Sequence, residues 1–272
     1  MSTVVEFKSG PKARIIAVAN QKGGVGKTTT AINLATALAV AGKRVLVVDF
    51  DPQGNASTGL GVDRSVRTVT AYEVITGQAP IADALTETAV PGLTLITSTV
   101  DLSAAEVELV DDGKRSYRLR DALLRLEDRF DYVLIDCPPS LGVLTVNGLV
   151  AAHAVIVPLQ CEFFALEGLS MLLRTVERVR RTLNPRLQMH GIVLTMFDKR
   201  NNLSEQVAED VRSFMGERVY ETVIPRNVRI SEAPSHGKPV MIYDVRSAGA
   251  LAYAHLAGEV LRRDRRMMAA AR

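Results

Sequence analysis

Tryptophan is absent from this 272-residue chain, aromatic residues make up only 5 %, and cysteine occurs just twice. Cys137 and Cys161 stand far apart and outside any C-x-x-C spacing. A disulfide framework and a clustered thiolate metal site are therefore excluded, and both residues read as buried thiols beside apolar strands. No stretch reaches the roughly 18 uninterrupted apolar residues of a membrane span. Residues 1–11 carry no apolar signal core, so the chain is expected to be cytoplasmic. Excess charge is lacking too. Lys and Arg outnumber Asp and Glu by 33 to 30, too small a margin to argue nucleic-acid binding without knowing where the charges lie.

What the chain has in quantity is Ala, Val, Leu and Ile, a composition that suits parallel strands buried on both faces. Short β-branched runs alternate with longer helical patterns, which predicts a parallel sheet with crossover helices. The strands are expected over 14–19, 44–49, 93–96, 132–136, 154–158, 190–195 and 219–221. Helices are expected over 27–41, 118–128, 143–152, 166–183, 204–215 and 248–263. No repeat or low-complexity tract interrupts the pattern. The fold class is α/β, a single domain with a mostly parallel, twisted sheet flanked by helices. Residues 1–13 read as a flexible lead-in, 14–264 as the domain and 265–272 as a basic tail.

The string Lys22-Gly23-Gly24-Val25-Gly26-Lys27-Thr28-Thr29 falls between a strand and a helix. Glycines there let successive backbone N–H groups turn inward around phosphate oxygens, and the helix that follows offers its positive end. Lys27 can reach the β- and γ-phosphates of a nucleotide, and the Thr28 hydroxyl can hold Mg²⁺. The usual leading glycine of such a loop is replaced by Gln21, and a second lysine, Lys22, follows it.

Two strands then deliver carboxylates. Val47-Val48-Asp49-Phe50-Asp51-Pro52-Gln53-Gly54-Asn55 places Asp49 at the C-terminal end of a parallel strand, beside the ligand crevice of an open α/β sheet. Val133-Leu134-Ile135-Asp136-Cys137-Pro138-Pro139 has the form of a Walker B strand, with Asp136 directed toward the metal. Phosphoryl transfer needs positioning and electrostatics more than covalent chemistry, so no nucleophile is expected.

The string KGGVGKTT resembles the deviant Walker A loop of the ParA/Soj and MinD group of P-loop NTPases, and the resemblance extends from about residue 14 to 261. It implies a two-fold nucleotide sandwich in which Lys22 reaches the partner chain's ATP and the small Gly23 lets the two loops approach. It implies that Asp49 orients the attacking water and that Asp51 assists with Mg²⁺. It places Pro225 and Asn227 against adenine, with Met196 as an apolar wall. It implies a non-specific DNA surface from the last third of the chain, for which Lys199, Arg200, Arg226 and Arg229 are the candidates.

The implied activity is slow ATP hydrolysis that times an ATP-bound homodimer on DNA. A ParB-type centromere-binding partner stimulates it, and the location is the nucleoid. Relatives move chromosomes, plasmids or protein clusters, and all three cargoes stay open here. A MinD-like membrane role would need an amphipathic C-terminal helix. Only Leu261, Met267 and Met268 offer anchoring there, so stable membrane binding is not expected. The tail reads instead as a solvated helix end or an auxiliary DNA contact. The two cysteines do not match the cluster positions of the related nitrogenase iron protein.

Overall fold

The computed structural model describes residues 13–162 and 165–270. Eight strands form one sheet: β1 Arg14–Val18, β2 Val45–Asp49, β3 Leu85–Glu87, β4 Leu93–Ile96, β5 Tyr132–Asp136, β6 Ala154–Gln160, β7 Gln188–Phe197 and β8 Val219–Pro225. Their order is β3-β4-β2-β5-β1-β6-β7-β8. Every pair is parallel except β3 with β4. The seven expected strands are all present, and β3 is the addition.

Alternate residues of the inner strands feed two cores. Ile15, Ala17, Leu46, Val48, Val133 and Ile135 face one side, while Ile16, Val45, Val47 and Leu134 face the other. This two-sided burial is why these strands read as unbroken apolar runs. The longest helices are α1 Lys27–Val40, α2 Val143–Ala151, α3 Ala165–Thr182, α4 Asn202–Met215 and α5 Ala248–Ala270. Helices α2, α3 and α4 cover the first face, whereas α1 and α5 cover the second and pack on each other.

Helix α5 runs through the expected boundary at 264 without a break. Its polar anchor explains the length. Asp264 is buried at the N-terminal edge of the sheet, where it accepts hydrogen bonds from Arg14 Nε (2.8 Å) and Tyr132 Oη (3.0 Å). Arg14 Nη2 also reaches Met267 Sδ at 3.8 Å, so this part of the tail lies against the body. At the other end, Ala13 is buried and donates to Glu127 O, so the ordered body begins at or before it. The rest of the expected lead-in, and residues 271–272, lie outside the described residues.

The sheet positions one crevice. Strand β1 lies between β5 and β6; the chain leaves it for β2 on one side and later fills β6, β7 and β8 on the other. The C-terminal ends of β1, β2 and β5 therefore open together, where ligands bind in such sheets. One close backbone approach ties down the far rim. Gly61 and Gly237 both have positive φ, and a Cβ on Gly61 would lie 2.8 Å from the carbonyl oxygen of Gly237. Gly61→Ala is expected to cost about 1–3 kcal/mol, because it adds left-handed strain to a backbone clash. For a chain of this size that is a fall of roughly 2–6 °C in the thermal midpoint, read by circular dichroism. An unchanged midpoint would show that the two loops part freely.

Candidate functional site

The loop after β1 wraps the start of α1. Asn20 is buried and donates through Nδ2 to Pro158 O (2.7 Å), while its Oδ1 accepts from Lys22 N (3.0 Å). Thr195 Oγ1 on β7 donates to Val25 O at 2.8 Å. The loop is thus held by β6 and β7 as well as by its own strand. Gly26, with φ of 87°, precedes α1, and no side chain caps the helix. The first amides of α1 therefore remain available to an anion, with the helix dipole behind them.

Lys27 is buried and donates from Nζ to Lys22 O at 2.9 Å, folded across the mouth of the loop. Burial pushes its ammonium below the usual lysine range, and Asp136 and Asp51 oppose that shift. Lys22 points elsewhere: its Nζ meets Glu162 Oε2 at 2.6 Å, both side chains being largely exposed. Cβ atoms built on Gly23 and Gly24 would meet nothing within 4 Å. Gly23 lacks a positive φ as well, so nothing among the described residues demands glycine at that position.

The three acidic residues come together at the ends of β2 and β5, where Asp49 and Asp136 are register partners. Asp49 is fully buried. Its Oδ2 accepts from Ser57 N (2.7 Å) and Ser57 Oγ (2.6 Å), and Oδ1 accepts from Asp51 N (3.4 Å). Burial raises its pKa to about 6, and the Ser57 donors hold it from rising further. Asp51 is buried and accepts from Gln53 N at 3.0 Å.

Asp136 differs from both. It is buried, and neither carboxylate oxygen has a hydrogen-bond partner of normal geometry. Burial and the charge of Asp49 push it well above the usual carboxylate range; the Thr28 hydroxyl and Lys27 pull the other way. A buried carboxylate left without partners calls for an ion or solvent to complete it. Among the described residues, no group of three His, Cys, Asp or Glu side chains is arranged to hold a metal ion by itself. That donor set fits Mg²⁺, which takes one or two protein oxygens and fills its remaining positions with phosphate and water.

The other sequence candidates lie around this centre. Pro225 ends β8, and Asn227 caps the short helix Val228–Glu232 with Oδ1 accepting from Ile230 N. Met196 is the one non-glycine residue with positive φ among the described residues (52°), and it is 36 % exposed. Lys199, Arg200 and Arg226 line one open cavity of about 1000 Å³ between β8 and α5, joined by His255 and Arg262. Arg200 is paired with Asp198 at 2.9 Å. Arg229 is not part of that lining; it is held by Glu232 (2.9 Å) and Asp244 (3.4 Å). Cys137 and Cys161 are both buried and unpaired, and burial pushes both thiols up, Cys161 to about 11.

Sequence reasoning did not single out Asn20, Ser57, Arg67 or Thr195, which brace the site. Asn20 and Thr195 sit beside named motif residues, and that adjacency was the available signal. Ser57 and Arg67 had none, because their partners are set by the fold.

Known proteins are similar along nearly the whole chain. A family model described as "AAA domain" matches residues 13–189. The chromosome partitioning protein ParA of Caulobacter vibrioides is 63 % identical over 254 residues, covering 93 % of this chain and 95 % of the relative. The sporulation initiation inhibitor protein Soj of Bacillus subtilis is 52 % identical, covering 91 % and 98 %. Among solved structures, a Mycobacterium smegmatis protein titled cobyrinic acid a,c-diamide synthase, with bound ATP analogue and magnesium, is 43 % identical. It superposes with a TM-score of 0.81 over 92 % of this chain and 95 % of that one. With a P-loop on β1, facing carboxylates on β2 and β5, and identity of this extent, the chain belongs to the ParA/Soj family of chromosome-partitioning P-loop ATPases.

Proposed function

We propose that the chain is an ATP-switched DNA-binding dimer that partitions chromosomes. The observation that carries the reading is the buried, partnerless carboxylate of Asp136 beside Thr28 and Lys27. It leaves a cation-shaped deficit where an uncapped helix start and a buried lysine await phosphate. Mg²⁺ would be held by Thr28 and Asp136, with Asp51 acting through water, and when bound it neutralises charge on the β- and γ-phosphates.

The chain's own residues do the rest. Lys27 leaves Lys22 O to meet the phosphates, and the amides of residues 23–29 cradle them. Pro225, Asn227 and Met196 enclose the base; the amide nitrogen of Asn227 has no acceptor among the described residues, so it is available to adenine. Asp49 orients the attacking water. Lys22, its side chain held among the described residues by a surface ion pair, exchanges Glu162 for the ATP of a second chain. Such a surface pair contributes about 0–1 kcal/mol, so the exchange is easy. Glycine at position 23 is then explained by the partner's approach.

The paired chains bind double-stranded DNA without sequence preference, through Lys199, Arg200 and Arg226 on each subunit, with Arg229 at the margin. Two weak, salt-sensitive contacts reinforce one another once the chains are joined. Hydrolysis is slow and releases the DNA, and a ParB-type partner accelerates it, which places the protein on the nucleoid. A membrane role, which would need the C-terminal helix to offer an apolar face, has less support, because Met267 lies near Arg14 on the body.

Anisotropy of a labelled non-specific duplex, set beside sedimentation with anionic phospholipid vesicles, tests the proposal. DNA binding with ATP but not ADP, without vesicle retention, is expected; ATP-dependent vesicle binding without DNA binding would overturn it. Arg200→Glu sharpens the same assay. Its side chain is 88 % exposed, so the change leaves the fold intact. The slope of log affinity against log salt should fall by about one per contacting subunit. An unchanged slope would remove Arg200 from the DNA face.

A further inference from the structure

We propose that Arg67 is a positioning residue for hydrolysis, holding Asp49 through Ser57. The inference rests on the reading of Asp49 as the group that orients water. Arg67 is only 9 % exposed, yet among the described residues it forms no ion pair with a carboxylate. Its guanidinium is spent on the segment after β2. Nη2 donates to Val62 O (2.8 Å) and to Thr58 Oγ1 (2.8 Å). Nε donates to Val62 O (3.2 Å). Nη1 donates to Gly54 O (3.3 Å) and, beyond the end of β4, to Ser98 O (2.9 Å).

One planar group therefore joins the start, middle and end of residues 54–62 and ties them to the neighbouring strand. The loop is built closely around it: a Cβ on Gly54 would lie 2.5 Å from Nη1. Burying a guanidinium with no carboxylate in hydrogen-bond contact is unfavourable unless its donors are satisfied, and here they are satisfied by three carbonyls and the Thr58 hydroxyl.

What this cage encloses is Ser57. Its carbonyl accepts from Val62 N (3.0 Å), and its Oγ accepts from Ser98 N (3.1 Å). Both of its own donors are aimed at Asp49 Oδ2. Ser98 thus touches both ends of the relay, through its carbonyl to Arg67 and through its amide to Ser57. Fixing the segment fixes the Ser57 donors, and these occupy Oδ2 of Asp49 and leave Oδ1, with only the long contact from Asp51 N, as the oxygen to receive water. Arg67 donates no hydrogen bond to Asp49 or to any group of the phosphate loop; the charge of Asp49 acts on its guanidinium through space, and the hydrogen-bonded route between them runs through Ser57.

The test is single-turnover and steady-state ATP hydrolysis by the full chain carrying Arg67→Lys, Arg67→Ala, Ser57→Ala and the Ser57→Ala/Arg67→Ala pair, with Asp49→Ala in parallel. Arg67→Ala and Ser57→Ala should each lower kcat about tenfold or more while KM for ATP stays within about threefold. Arg67→Lys should restore part of the loss, and the pair should be no slower than its slower member, since both act on one contact. Multiplying losses, or a rise in KM at unchanged kcat, would overturn the proposal. Full kcat in Ser57→Ala would do so even if Arg67→Ala fails to fold. If Asp49→Ala is inactive while Ser57→Ala and Arg67→Lys are normal, only the positioning role fails. If Asp49→Ala hydrolyses normally, the reading of Asp49 fails and this proposal with it.

Discussion

Lys27→Ala is expected to lose nucleotide affinity by on the order of 100- to 1,000-fold, and ATP-dependent DNA binding with it. The expectation follows from what surrounds the ammonium. Lys27 is buried beside Asp136 and Asp51, and its charge opposes theirs. Without it, a triphosphate would enter a pocket whose remaining fixed charges are carboxylates. The alanine also frees Lys22 O from its only side-chain donor among the described residues. Neighbouring acids would then repel the ligand instead of sharing a cation with it. Titration calorimetry with ADP and with a slowly hydrolysed ATP analogue would measure the loss. Affinity within a few fold of the unmodified chain would contradict the assignment of the loop as the phosphate site. On the proposed mechanism DNA binding fails in this variant because pairing fails, so its DNA affinity should match that of the unmodified chain with ADP.

Asp49→Ala has the opposite signature. Hydrolysis should fall about 100- to 1,000-fold, a range set by losing one positioned proton acceptor, while nucleotide binding and pairing persist. The variant should stay folded. Burial raises the pKa of Asp49 to about 6, so its ionised form is held in the fold at a penalty near neutral pH. That penalty vanishes with the carboxylate, which offsets the hydrogen bonds lost by Ser57. The variant should therefore remain on DNA after the unmodified chain has released it. Dissociation rates from DNA after a chase with ADP would show this directly. Turnover at the unmodified rate would remove Asp49 from the reaction.

The contrast between these variants shows which parts of the molecule were legible in the amino-acid order. The phosphate loop was, because all of its chemistry lies in eight consecutive residues bounded by a strand and a helix. The inner strands β1, β2, β5 and β6 were, because almost every residue on both their faces is buried and apolar. β3 was not: Leu85–Glu87 is short, its side chains are half-buried or exposed, and it pairs antiparallel at the sheet edge. Helix α5 continues past 263 because Asp264 is buried among Arg14, Tyr132 and His190, a charge that local pattern reads as solvated. Arg67 was invisible for the same reason. An isolated arginine in a loop carries no pattern, and its role depends on Gly54, Thr58, Val62 and Ser98 being brought around it. Among the basic residues of the last third, Arg229 is paired with Glu232 and Asp244 and does not line the cavity around Arg200, a difference that depends on the folded contacts.

The central claim is that ATP is shared between two chains, with Lys22 leaving Glu162 to complete the partner's site. Sedimentation velocity of the Asp49→Ala chain with Mg²⁺ and either ATP or ADP tests it most directly, since slow hydrolysis cannot blur the result. With ATP the 29.5 kDa chain should sediment as a dimer, with ADP as a monomer, and Lys22→Ala should abolish the difference. A chain that binds ATP yet sediments identically in both nucleotides, or that pairs equally well without Lys22, would contradict the account.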